Sequence, residues 1–192
     1  TMKNWLQALI VFGIIFFKAN TICAQSNVVN KYGLIVVKNI KILQEEITID
    51  SNKQMVNLRE AIPSLVLDLK YATANNFMHL KLYPSVNATY LRLSAVEALK
   101  KVVKEFNKQN LSLKIFDAYR PYSVTEKMWE TVRDDRYAAD PSKGSGHNRG
   151  IAVDLTLINR HTKKELPMGT GFDNFSDTAH VVFTNLPNEV LN

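Results

Sequence analysis

A chain of 192 residues, 46% hydrophobic and 22% charged, is long enough for about one domain with a buried core once any targeting segment is removed. Its formal charge of +6 is mild and is not gathered into an arginine-rich arm or a lysine run, which argues against a nucleic-acid partner. The single cysteine, Cys23, lies so near the amino terminus that the body of the chain has neither a disulfide nor a thiolate ligand, so any metal must be held by His, Asp or Glu.

The first segment reads as an address rather than as structure. Lys3 is followed by thirteen residues, Trp5 to Phe17, of which only Gln7 is clearly polar, and then by the more polar KANTICAQ. That run is short for a membrane span and suits the apolar region of a secretory signal. Cleavage is expected after Ala24, which places the protein outside the cytoplasm, periplasmic or secreted, with no stable membrane span left. An uncleaved anchor and a lipoprotein site at Cys23 are the alternatives. Loss of residues 1–24 lowers the formal charge from +6 to +4. Thr1 ahead of Met2 is an unusual start and reads as a translated frame or a fragment.

Residues 25–60 read as a lead-in, in which IKILQEEITID alternates weakly like a strand. From Leu65 the pattern sharpens: LVLDLKYAT sets Leu65, Leu67 and Leu69 against Val66, Asp68 and Lys70, as a strand does. Asn75 and Asn76 open a longer loop punctuated by Pro84 and Ser85. Ser94 and Glu97 predict a capping box, followed by a helix whose Val96, Leu99, Val103 and Phe106 form one apolar face. LSLKIFDAY is a second strand with Leu111, Leu113 and Ile115 on one side, ended by Arg120-Pro121. Ser123 and Glu126 repeat the capping pattern ahead of a helix through Met128, Trp129 and Val132. DDRYAADPSKGSG is a loop, and five of the seven glycines fall between Gly144 and Gly171, where backbone must turn tightly or approach a ligand. GIAVDLTLI is the third strand, with Ile151, Val153, Leu155 and Leu157 on one face and Ala152, Asp154 and Thr156 on the other. The order predicts an α+β domain, a small and mainly antiparallel sheet with packed helices.

The chemistry concentrates in SGHNRGIAVD, where His147 and Asp154 stand seven residues apart around glycines 146 and 150. A turn that folds back would bring both side chains onto one metal ion, and zinc held this way would lower the pKa of a bound water and polarise a carbonyl. By itself the spacing also fits a surface histidine and a strand-end aspartate.

The blocks DLKYAT, FDAYRPYSVTEKMW, SGHNRGIAVDLTL and MGTGFDNFSDTAH occur in that order. Together they resemble the D-alanyl-D-alanine dipeptidases, zinc dipeptidases of the vancomycin-resistance type, over most of the chain from Leu65 to His180 and beyond. The resemblance implies a zinc D,D-peptidase architecture of the hedgehog-like kind, with residues 61–192 as catalytic domain. It also implies hydrolysis of a small D,D-dipeptide derived from peptidoglycan. His147 and Asp154 match two zinc ligands, and Arg120 matches the arginine that stabilises the charge developing on the tetrahedral intermediate, a role suited to a guanidinium that cannot deprotonate. Tyr71 and Asp173 match residues near the dipeptide's ammonium group, and Ser145 is a candidate for its carboxylate. Each also has a plain structural reading: an ion pair for Arg120, a strand aromatic for Tyr71, a turn former for Asp173 and a local backbone bond for Ser145.

The resemblance also implies a Glu-x-x-His block on a final strand, supplying the general base and a third zinc ligand. Here the sequence reads NLPNEVLN instead, and the expectation is a domain lacking its last strand. His79, His161 and Glu189 do not suit those roles, and His180 is the remaining substitute ligand. A non-catalytic remnant that binds peptidoglycan-derived peptides, or a decayed gene product, is therefore the alternative to an active dipeptidase. A hedgehog-like relative sharing only the zinc site is disfavoured by DAYRP and KYAT.

Overall fold

The structure, a computed structural model, describes residues 29–84, 86–180 and 182–191. The expected signal segment, residues 1–24 with Cys23, lies outside the described residues. Among those described, no helix is long and apolar enough to cross a membrane.

Helix α1, Ile40–Ile49, opens the described elements where the sequence suggested a strand. Asn39 accounts for the difference, because its side chain accepts from the Lys41 N–H and caps the first turn. Ile42, Leu43 and Ile47 turn inward at helical spacing, while Ile40 and Ile49 stay exposed. Strand β1, Met55–Asn57, leads into the single-turn α2, Leu58–Ala61, and the short strand β2, Val66–Leu67. Here too the expected strand over Leu65–Thr73 is cut short. Asp68 N–H still donates to Ile115, but Ala72 and Thr73 then donate back to Leu69 and Lys70, closing a 3-10 turn. That turn buries Tyr71. The loop behind it is held by the buried Asn76, whose amide group donates to the carbonyls of Lys70, Thr73 and Leu80.

Strand β3, Tyr90–Arg92, pairs antiparallel with β1 and runs directly into α3, Leu93–Lys108. Strand β4, Leu111–Asp117, is followed by α4, Tyr122–Val132, and by β5, Asp154–Asn159. A short α5, Asn188–Leu191, ends the described chain. The main sheet has the order β2-β4-β5, parallel between β2 and β4 and antiparallel between β4 and β5, so the fold is α+β with mostly antiparallel pairing. Val96, Leu99 and Val103 of α3 pack on Leu113 and Ile115 of β4 and on Leu58, Ile62 and Leu91, the face read from the sequence. The partly buried Phe106, Val153, Leu155 and Leu157 join them. Ile151 does not: it is 56% exposed, because β5 begins only at Asp154 and the preceding turn faces it outward.

Neither expected capping box forms. Helix α3 begins at Leu93, with Arg92 as its cap and no side-chain bond, and α4 begins after Pro121, likewise uncapped. Ser94 and Ser123 therefore lie inside their helices. Tertiary contacts do this work at α3, where Leu93 N–H reaches the Gln54 carbonyl and Arg92 N–H reaches that of Gly150. At α4, Pro121 has no N–H to satisfy.

Candidate metal centre

The site forms where the end of β4, the corner before α4 and the glycine turn before β5 meet. The turn closes because Gly146 and Gly150 have no side chains: a Cβ at Gly146 would stand 2.9 Å from that of Ala152, and one at Gly150 would stand 2.9 Å from the Met55 methyl. Gly150 also has a φ of +67°.

His147 Nε2 then lies 3.4 Å from Asp154 Oδ1. Two ligands at zinc–nitrogen and zinc–oxygen distances of about 2.0–2.1 Å stand roughly 3.3 Å apart around a tetrahedral ion, so the pair fits one. The tautomer fits as well. His147 Nδ1 is 2.8 Å from the carbonyl of Ala118, which can only accept, so the proton sits on Nδ1 and the Nε2 lone pair faces Asp154. Burial opposes charge on this imidazole, but the hydrogen bond that Asp154 accepts once Nε2 is protonated, together with its charge, outweighs it and raises the pKa above the usual value.

A third carboxylate, Asp117, lies in the same cluster. Its ligand atom and those of His147 and Asp154 fall within 4.8 Å of one another. Its geometry suits a support rather than a ligand. Asp117 is buried, approaches the Nδ1 side of His147 at 3.7 Å, and is already bound: Tyr83 Oη donates to Oδ1 at 2.9 Å, and Arg120 Nε and Nη2 both reach Oδ2 at 2.9 Å. Burial pushes the Asp117 carboxyl above the usual carboxylate range and the Arg120 guanidinium pulls against it. Burial likewise works against the charge of Arg120, and Asp117 more than compensates, so the guanidinium stays charged. Arg120 Nη2 also stands 3.4 Å from Asp154 Oδ2, which puts the cation beside the His147–Asp154 pair.

The other expected residues line the same cleft, of about 1180 Å3. The Arg120 guanidinium lies 4.9 Å over the Tyr71 ring. Tyr71 Oη donates to Asp173 Oδ1 at 2.9 Å, and the Phe77 N–H donates to Asp173 Oδ2 at 3.1 Å. Burial pushes both the Tyr71 hydroxyl and the Asp173 carboxyl upward. Ser145 is buried and its Oγ accepts from the His147 N–H at 3.1 Å, shaping the turn while still lining the cleft. The ion pair considered for Arg120 and the local bond considered for Ser145 are thus both present beside the cleft, not in place of it.

The remaining histidines stay apart from the pair. His161 contacts Asn110 at 3.4 Å, His180 lies 5.9 Å from the Tyr137 ring, and His79 lines the cleft without joining the ligand cluster. The Glu189 side chain lies outside the described set. Sequence reading passed over Asp117, although it opens the DAYRP block, and Tyr83, whose loop carries no motif.

A family model for D-ala-D-ala dipeptidases matches residues 51–190. Over 134 residues the chain is 35% identical to a D-alanyl-D-alanine dipeptidase of Escherichia coli (strain K12), covering 70% of this chain and 68% of that protein. Over 142 residues it is 28% identical to a D-alanyl-D-alanine dipeptidase of Enterococcus faecium, covering 64% and 70%. With His147, Asp154 and Arg120 converging in one cleft and the match running through all three, the chain belongs to the D-Ala-D-Ala dipeptidase family of peptidases.

Proposed function

We propose that this protein is an exported, periplasmic or secreted, zinc-dependent metallopeptidase site for D-alanyl-D-alanine. The observation that carries the reading is the 3.4 Å approach of His147 Nε2 to Asp154 Oδ1, with Arg120 against the far oxygen of that aspartate. Zinc bound there would supply Lewis acidity to a water and to the substrate carbonyl. Arg120, fixed by Asp117 and lining the same cleft, would stabilise charge gathering on the carbonyl oxygen with little reorganisation. Asp173 and the Tyr71 hydroxyl form the polar end of the cleft, suited to a free ammonium group, and Ser145 is the candidate for the carboxylate end.

Removing a proton from the attacking water requires a free base. The carboxylates lining the cleft among the described residues are Asp154, Glu165 and Asp173. Asp154 belongs to the ligand pair, Glu165 is bound to Lys114 at 2.8 Å, and Asp173 is held through both oxygens. Among the side chains outside the described set the sequence has one carboxylate, Glu189, which is not part of a Glu-x-x-His pattern. We therefore propose that these residues bind zinc and dipeptide, and that turnover waits on a base and a third ligand from outside the described set. Calorimetry with D-Ala-D-Ala should show binding that strengthens with zinc, and free D-Ala should appear no faster than in a zinc-only control. Equal binding of L-Ala-L-Ala, or none of either, would overturn the substrate assignment. Zinc-dependent release of D-Ala would overturn the dormant state and leave the substrate standing.

Asp173 adds a pH dependence. An ammonium partner needs the ionised carboxylate, and burial has raised this pKa, so dipeptide affinity should fall as pH drops through the raised value. The sign for stability is opposite: the folded state holds this proton more readily than the unfolded chain, a contribution present at low pH and lost as pH rises through the folded pKa. Asp173→Asn should weaken dipeptide binding about tenfold to a hundredfold, the range for a hydrogen bond to a charged group, and flatten the acid limb in a titration followed by calorimetry.

A further inference from the structure

We infer that Asn148 is a positioning residue that locks the turn bearing His147 to the corner bearing Arg120 and to helix α4, so that metal ligand and guanidinium move as one body. The inference rests on the reading of His147 and Arg120 given above. Asn148 Nδ2 donates to the carbonyl of Arg120 at 2.9 Å and to Thr125 Oγ1 on α4 at 2.9 Å, and its Oδ1 accepts from the Ser145 N–H at 3.0 Å. The amide orientation follows from the partners, since the Arg120 carbonyl can only accept and the Ser145 N–H can only donate. Both N–H groups and the carbonyl of one side chain are therefore committed, each to a different segment. Thr125 is buried at 1% exposure, which makes it a firm anchor.

Two other bonds join the same segments, and both pass through His147: its ring to the Ala118 carbonyl at 2.8 Å, and its own carbonyl from the Arg120 N–H at 3.2 Å. The far end of the turn is held separately by Arg92, whose N–H and Nε donate to the carbonyls of Gly150 and Arg149. Asn148 adds the tie from the turn into α4. Position 148 is one that the SGHxxGxAxD pattern leaves open, so the pattern itself does not call for this amide.

The test uses Asn148→Asp, which keeps size and acceptor but loses both N–H donors, and Thr125→Val, which removes only the α4 partner. Cobalt(II) is the probe, titrated into the full chain at a temperature where circular dichroism shows each protein folded. Outer groups that orient a ligand change metal affinity about tenfold to a hundredfold. Asn148→Asp is expected to weaken cobalt binding within that range and to alter the visible cobalt spectrum, and Thr125→Val should do so by less. Hydrogen exchange, which needs no metal, should show faster exchange at the Arg120 amide in both variants while α3 is unchanged. Wild-type cobalt affinity, spectrum and Arg120 exchange in folded Asn148→Asp would overturn the inference. Should Asn148→Asp not fold, unchanged Thr125→Val on all three readouts would do the same. If the wild-type chain binds no cobalt, the metal reading fails, and the Arg120 exchange still decides the role of Asn148.

Discussion

Asp117→Ala is expected to lower the unfolding free energy by about 3–5 kcal/mol, the range for removing one partner of a buried ion pair. In a chain of this size that is a fall of roughly 6–20 °C in Tm. The magnitude follows from what the substitution strands. Arg120, 7% exposed, loses the carboxylate that receives both its Nε and Nη2, and the half-buried Tyr83 beside it loses the acceptor of its hydroxyl. Asp154, partly exposed and reached by Nη2 alone at 3.4 Å, replaces only part of that pairing. Urea unfolding of Asp117→Ala, Arg120→Ala and the double variant measures it. The double variant should recover part of the loss, because the penalty lies in an unpaired buried charge rather than in the bond. A loss below about 1 kcal/mol for Asp117→Ala would show that the guanidinium finds solvent and that the pair is not a structural anchor.

His147→Ala should abolish measurable zinc or cobalt binding in the millimolar range while leaving the fold intact. A lone Asp154 carboxylate is no chelate, and Asp117 is committed to Arg120 and Tyr83. The imidazole is half-buried in a loop rather than packed in either apolar cluster, so its removal opens little core. Calorimetric metal titration with a parallel melting curve checks both parts. Retained affinity would move the metal away from the His147–Asp154 pair, with Asp117 as the remaining carboxylate of the cluster.

Elements whose character is repeated along several residues were legible. The alternation of Leu113 and Ile115 in β4, and the apolar face of α3 through Val96, Leu99 and Val103, are periodic signals that burial then uses directly. The glycine turn was legible for a steric reason, since positions 146 and 150 leave no room for a Cβ. What misled were signals with two meanings. IKILQEEITID alternates and also repeats at helical spacing, and the Asn39 cap and packing on one side decided for α1. The SxxE patterns at Ser94 and Ser123 are capping boxes only if the helix starts there, and contacts from Gln54 and Gly150, distant in sequence, supply the donors' partners at α3 instead.

The sequence by itself singled out His147, Asp154, Arg120, Tyr71, Ser145 and Asp173 through motif blocks in a fixed order, and all six line one cleft. It determined the α+β class as well, since hydrophobic periodicity is a local property. Only the tertiary structure decided how those residues are held. The Tyr83–Asp117–Arg120 chain, the tautomer of His147 set by the Ala118 carbonyl, and the Asn148 bridge to Thr125 each join segments separated along the chain. Hydrogen bonds and buried ion pairs depend on distances of a few ångströms between such segments, and no pattern of neighbouring residues encodes those distances.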